Sequence, residues 1–189
     1  MSLIPIICTY QVPPATLSSI LSIAYSSSQK LDSPPSLILL WNNNPSELQE
    51  ITYDSMTQPP IDTALENQFV GWSVDKVAEF LHSNLVGTDR NTVLDYSVFL
   101  VADERTSVDG DTLLLVHVQH IDGAREREVE SVRVSAEYVN SKAVGVSVAA
   151  EDVAGLRSLV DEDGVFRGGR DRAERALPKK GGSAPRKQL

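Results

Sequence analysis

An α/β domain on one mixed sheet of about five to six strands, with three main helices and a basic C-terminal extension, is predicted by three observations. Two short, unbroken apolar runs near the start flank an amphipathic stretch. Three strand-like runs separated by Asp-Gly turn signals occupy the middle of the chain. Near residue 167 the charge changes sign: up to Phe166 there are nine Lys or Arg against 24 Asp or Glu, and from Arg167 onward eight against two, balances of -15 and +6 that make up the net -9. At 189 residues and 41% apolar content, one globular domain over residues 1–168 with its own core is the economical reading.

Leu3 to Tyr10 is apolar and β-branched, as a buried strand should be, and Pro13-Pro14 ends it. Leu17, Ile20, Leu21 and Ala24 then fall on one helical stripe. Ser36 to Trp41 is a second buried strand, so strand, helix and strand form a parallel crossover. Residues 42–71 are polar and broken by Pro45, Pro59 and Pro60, a long loop with little regular structure. Ser73 caps a helix whose Val74, Val77, Ala78, Leu81 and Leu85 share a face, and Gly87 stops it. Tyr96 to Ala102, Thr112 to His120 and Val129 to Ser135 read as an antiparallel meander turning at Asp109-Gly110-Asp111 and Asp122-Gly123. A short segment around Glu137-Tyr138-Val139 precedes a further strand at Gly145 to Val148, and a last helix buries Val153, Leu156, Leu159 and Val160. From residue 169 to 189 there is almost no large apolar side chain, too little to offset an ordering cost of roughly 1–2 kcal/mol per residue, so this tail is expected to be disordered.

The acidic body argues against a nucleic-acid footprint, which needs a dense basic face. Cys8, alone in the chain, excludes an intrachain disulfide or a thiolate zinc cluster; it reads as a small buried hydrophobe in a reducing compartment. Neither a signal peptide nor a membrane span is supported, because the early apolar runs are broken by Pro5, Pro13 and Pro14. A cytoplasmic protein is expected, with a nuclear address through Lys179-Lys180 and Arg186-Lys187 as the alternative.

Gly145-Val146-Ser147-Val148-Ala149 comes within one residue of a nucleophile elbow, but His82, His117 and His120 all precede Ser147, the wrong order for a hydrolase of that fold. His117 and His120, three apart on a strand, point to opposite faces and make no metal pair, and His82 sits beside an apolar helix stripe, where a surface ion pair with Glu79 is the ordinary explanation. Asp103 and Glu104 at a strand end, with Asp109 and Asp111 behind them, form the densest acidic cluster and are the candidates for an acid or base; Tyr96 or Trp72 would line the pocket. No cofactor or metal is expected, since glycine-rich phosphate loops, paired cysteines and Glu/His metal helices are missing from the sequence.

Gly145-Val146-Ser147-Val148, the helix after it and Val160-Asp161-Glu162-Asp163-Gly164-Val165-Phe166-Arg167-Gly168 resemble the C-terminal signature of an uncharacterised domain family of bacteria and fungi. Phe99 to Asp103 and Leu113 to Val116 are similar to its central strands, so the likeness spans roughly residues 95 to 168. It implies a shared fold and carries over no catalytic residue. Two functions stay open: a non-enzymatic binding or regulatory module whose basic tail docks on an acidic protein partner or folds back on the domain, and a cofactor-free isomerase or cyclase of specialised metabolism acting on a small molecule.

Overall fold

The computed structural model describes residues 2–61, 66–86, 93–120 and 127–169. Six strands, β1 (Ile4–Cys8), β2 (Leu37–Leu40), β3 (Val98–Ala102), β4 (Thr112–His120), β5 (Arg127–Ser135) and β6 (Val165–Phe166), form one sheet in the order β2-β1-β3-β4-β5-β6. β1 lies parallel to β2 and β3, β4 runs antiparallel to both of its neighbours, and β6 is parallel to β5. The C-terminal ends of five strands therefore share one edge of the sheet with the start of β4. The helices are α1 (Pro14–Gln29), α2 (Pro45–Leu48), α3 (Val74–Leu85), α4 (Glu104–Asp109), α5 (Ala136–Ser147) and α6 (Val153–Arg157).

Both faces of the sheet are covered, which explains why β1, β2 and β3 are apolar throughout. Ile4, Ile6, Leu39, Val98, Leu100, Leu113, Leu115, Val132 and Val134 face α1, α5 and α6. Their alternates Ile7, Ile38, Leu40, Phe99, Val101, Val116 and Val118 face α3 and its aromatic neighbours. Cys8 is buried among the first set, and burial pushes its thiol up to about 12, so it packs as a hydrophobe. Pro5 is tolerated in this interior strand because of the direction of its missing N–H. The N–H of Leu3 points to Val93 and that of Ile4 to Ser36, so alternation aims position 5 at the bend before β3, and the β1–β3 ladder begins only at Ile6.

The crossover, the Ser73 cap on α3 and the antiparallel meander stand as expected. Residues 42–71 carry only α2 and a 3-10 turn at Tyr53–Ser55 among their described positions. The Gly87 stop, the Asp122-Gly123 turn and the disorder expected of the tail beyond Gly169 lie outside the described residues.

The strand expected at Gly145 to Val148 is corrected. Those residues close α5, whose buried side chains Ala136, Val139, Asn140, Ala143 and Val146 lie on one helical stripe. The third long helix is thus α5, and the segment after Val153 is only the short α6. Two further elements were not anticipated: α4, directly after β3, and the two-residue β6.

Among the described residues, no helix is long and apolar enough to cross a membrane.

Candidate functional site

Asp103 leaves the C-terminal end of β3 as the N-cap of α4. Its carboxylate accepts from the Thr106 N–H at 3.0 Å, while the Asp103 N–H donates to the Thr106 hydroxyl oxygen at 3.2 Å, a reciprocal capping box. Glu104 is exposed in the first turn of α4, where a negative charge suits the helix start. Arg133 of β5 reaches the same spot. It is 8% exposed, pairs with Asp103, and donates to the hydroxyls of Thr106 at 3.4 Å and Thr112 at 3.3 Å. Burial pushes the Asp103 carboxyl up, but the Thr106 N–H and the Arg133 guanidinium outweigh it and hold the group below its ordinary value. A carboxylate so held is a poor proton acceptor near neutrality, and its capacity is taken up by architecture.

Tyr96 does not join it. It precedes β3 and Asp103 follows, so about 16 Å of strand separates them at roughly 3.3 Å per residue. The Tyr96 ring meets His82 edge-on, with centroids 6.2 Å apart. Trp72 packs edge-on against Phe69 and Phe80 at 5.1 and 5.6 Å, with the Lys76 ammonium 4.0 Å over its ring. Ser147 sits at the last turn of α5, not at a strand-to-helix elbow, and its hydroxyl donates to Asp95. Asp95 is 8% exposed; its other oxygen accepts from the Ser97 N–H, the Ser97 hydroxyl and the Val98 N–H, each at 2.9 Å. This carboxylate, which nothing in its local sequence marks, fastens the end of α5 to the start of β3.

A different site emerges where β5 passes into α5. An open cleft of about 370 Å³ lies between α1 and the start of α5, bordered by Ile23, Asp111, Ser135, Ala136, Glu137, Tyr138 and Arg167. Ser135 occupies the N-cap of α5, yet its hydroxyl bonds none of the helix's own N–H groups. The Ala136 N–H is instead bound by the Asp111 carbonyl at 2.7 Å. Ser135 and Tyr138 are 8% and 7% exposed, and neither hydroxyl has a hydrogen-bond partner among the described residues.

The run from Asp161 to Gly168 builds the remaining wall. Gly164, at φ +78°, makes the turn that lets its N–H bond the Asp161 carbonyl, and β6 then pairs with Arg133 and Val134. Phe166 packs edge-on against Tyr138, with ring centroids 5.7 Å apart. Arg167 forks onto Asp163 at 2.8 and 2.9 Å and reaches Asp161 at 3.3 Å; the Arg167 bond holds the exposed Asp163 carboxyl down at about 2. Gly168 has φ +94°, and a Cβ there would lie 2.4 Å from the Tyr138 hydroxyl oxygen. Gly168→Ala is expected to cost about 2–4 kcal/mol, combining backbone strain with overpacking against Tyr138, and to lower the urea midpoint accordingly. A variant as stable as the parent chain would show that the turn yields freely.

Among the described residues, no group of three or more His, Cys, Asp or Glu side chains is gathered to hold a metal ion. A family model, DUF6924, described as a domain of unknown function, matches residues 40–169, and so extends well N-terminal of residue 95, where the sequence likeness begins. No curated protein and no solved structure matches the chain.

Proposed function

The chain belongs to this DUF6924 family of domains of unknown function, and we propose that it is a non-enzymatic binding or regulatory module. One observation carries the reading: Asp103, the carboxylate best placed in the sequence to act as acid or base, is held ionised by Thr106 and Arg133 as part of the scaffold. A cofactor-free isomerase would need such a group poised near the working pH inside an apolar pocket. The run Asp163 to Gly168 is, in the same reading, the signature its relatives in bacteria and fungi share.

The partner is an acidic protein, engaged by the basic extension of residues 169–189, in the cytoplasm or, through the lysine and arginine pairs, in the nucleus. The opposed charges of body and extension support this, because a cationic segment on an anionic domain selects acidic surfaces through screened, long-range attraction. Deleting residues 170 to 189 spares Gly169, which packs against Leu159 and Phe166. The full chain is expected to be retained on an immobilised glutamate-rich peptide at low salt and released at high salt, whereas the truncated chain should not be retained. Retention that survives both the deletion and high salt would overturn the proposal.

A further inference from the structure

The cleft at the start of α5 gathers the two opposite kinds of group that a small zwitterion requires. Donor-bearing residues border it: Ser135 and Tyr138 with their hydroxyls, Arg167, and the positive end of the twelve-residue helix α5. The acidic residues Asp111 and Glu137 border the same cleft. Ile23, 40% exposed on α1, adds an apolar wall.

Each simpler ligand meets a conflict here. A plain anion would lie beside two carboxylates, and Arg167 offers it little net charge because that guanidinium is already forked onto Asp163 and reaches Asp161. A plain cation would face the positive start of α5. The independent observation is Ser135 itself. A serine at an N-cap ordinarily turns its oxygen back onto the first-turn N–H groups, but this one, 8% exposed, makes no such bond and borders the cleft instead. With no partner among the described residues and its oxygen still reached by solvent, this hydroxyl is available to a ligand in the cleft.

From this geometry we infer that the cleft binds a small zwitterion of the α-amino-acid class. Its carboxylate sits on the Ser135 and Tyr138 hydroxyls and the start of α5, its ammonium at Asp111, and an apolar side chain lies against Ile23. The volume of about 370 Å³ falls in the range of small-molecule sites. The inference rests on the binding-module reading in one respect only, that the ligand is captured and not converted.

Calorimetric titration of the full chain with leucine, N-acetylleucine and leucinamide tests both poles at once. Leucine is expected to bind saturably. The acetyl form, which lacks the cation, and the amide, which lacks the anion, should each bind at least about ten-fold more weakly. Ser135→Ala removes a hydroxyl that caps nothing, so it should weaken leucine several-fold while leaving the melting temperature in place. Asp111→Asn, on an exposed side chain, should weaken leucine independently. Absence of saturable binding by leucine, valine and phenylalanine would overturn the site, as would equal binding of the acetyl and amide forms, or parental affinity in both variants. Chemical conversion of bound leucine, followed by NMR, would instead leave the site standing and overturn the non-enzymatic reading.

Discussion

Asn140→Ala is expected to lower the unfolding free energy by about 3–5 kcal/mol, the largest loss from any single polar side chain described above. Asn140 is fully buried in the middle of α5. Its Oδ1 accepts from the Ser36 N–H at 3.0 Å, and its Nδ2 donates to the Ser28 hydroxyl at 3.0 Å and the Pro34 carbonyl at 3.1 Å. One side chain thus joins α5, the end of α1 and the entry to β2. Truncation strands a buried donor, which costs about 1–3 kcal/mol, and it opens a void as well. Urea unfolding followed by circular dichroism reads the loss as a lower midpoint at unchanged slope. A loss below about 1 kcal/mol would mean that water replaces the amide at little cost.

Arg133→Met is the second large effect, expected at about 2–4 kcal/mol, because it leaves Asp103, Thr106 and Thr112 without the donor that ties β5 to α4. The penalty belongs largely to the abandoned carboxylate, so adding Asp103→Asn should recover part of it; additive losses would show that the two side chains do not act as a pair. The pair also sets an acid dependence. The Asp103 carboxyl is lowered in the folded chain, so its stabilisation is fully present above the ordinary carboxylate value and disappears as the pH falls through the lowered folded value. Asp103→Asn should therefore flatten the acid limb of stability against pH while costing stability at neutrality. An acid limb as steep as that of the parent chain would assign it to other carboxylates.

Much of the scaffold was legible because its cause is local. A run such as Leu37 to Leu40 is buried on both faces, and the stripe from Leu17 to Ala24 has helical spacing, so the chain announces them without its neighbours. α5 was hidden by two features. Asn140 interrupts the apolar stripe at its centre, and Val144, Val146 and Val148 alternate with small residues in the period of a strand. Asp103 was recognisable as a special position, but the reason it is special lies thirty residues away in Arg133, whose charge set between Val132 and Val134 is the one local hint of a buried partner. Tyr96 and Asp103 are near in sequence, yet they belong to opposite ends of β3.

The candidate cleft is the least legible part. Ser135, Tyr138, Ile23 and Arg167 come from β5, α5, α1 and the turn after β6, and none forms a motif with another. The segment Asp163 to Arg167 was visible as a turn, since Asp-Gly is ordinary turn chemistry. Its projection of Arg167 toward the start of α5 depends on β6 pairing with β5, a contact the sequence does not encode locally.

By itself the sequence determined the α/β class, the crossover, the meander, the two-sided burial of the central strands and the charge opposition between body and extension, because these follow from hydrophobic period, turn residues and composition within short windows. Only the tertiary structure decided that Asn140, Asp95 and Arg133 are buried ties, and that Ser135 and Tyr138 border a cleft with hydroxyls unpartnered among the described residues. A polar side chain reads the same in sequence whether solvent or protein satisfies it, and the difference appears only when distant segments close around it.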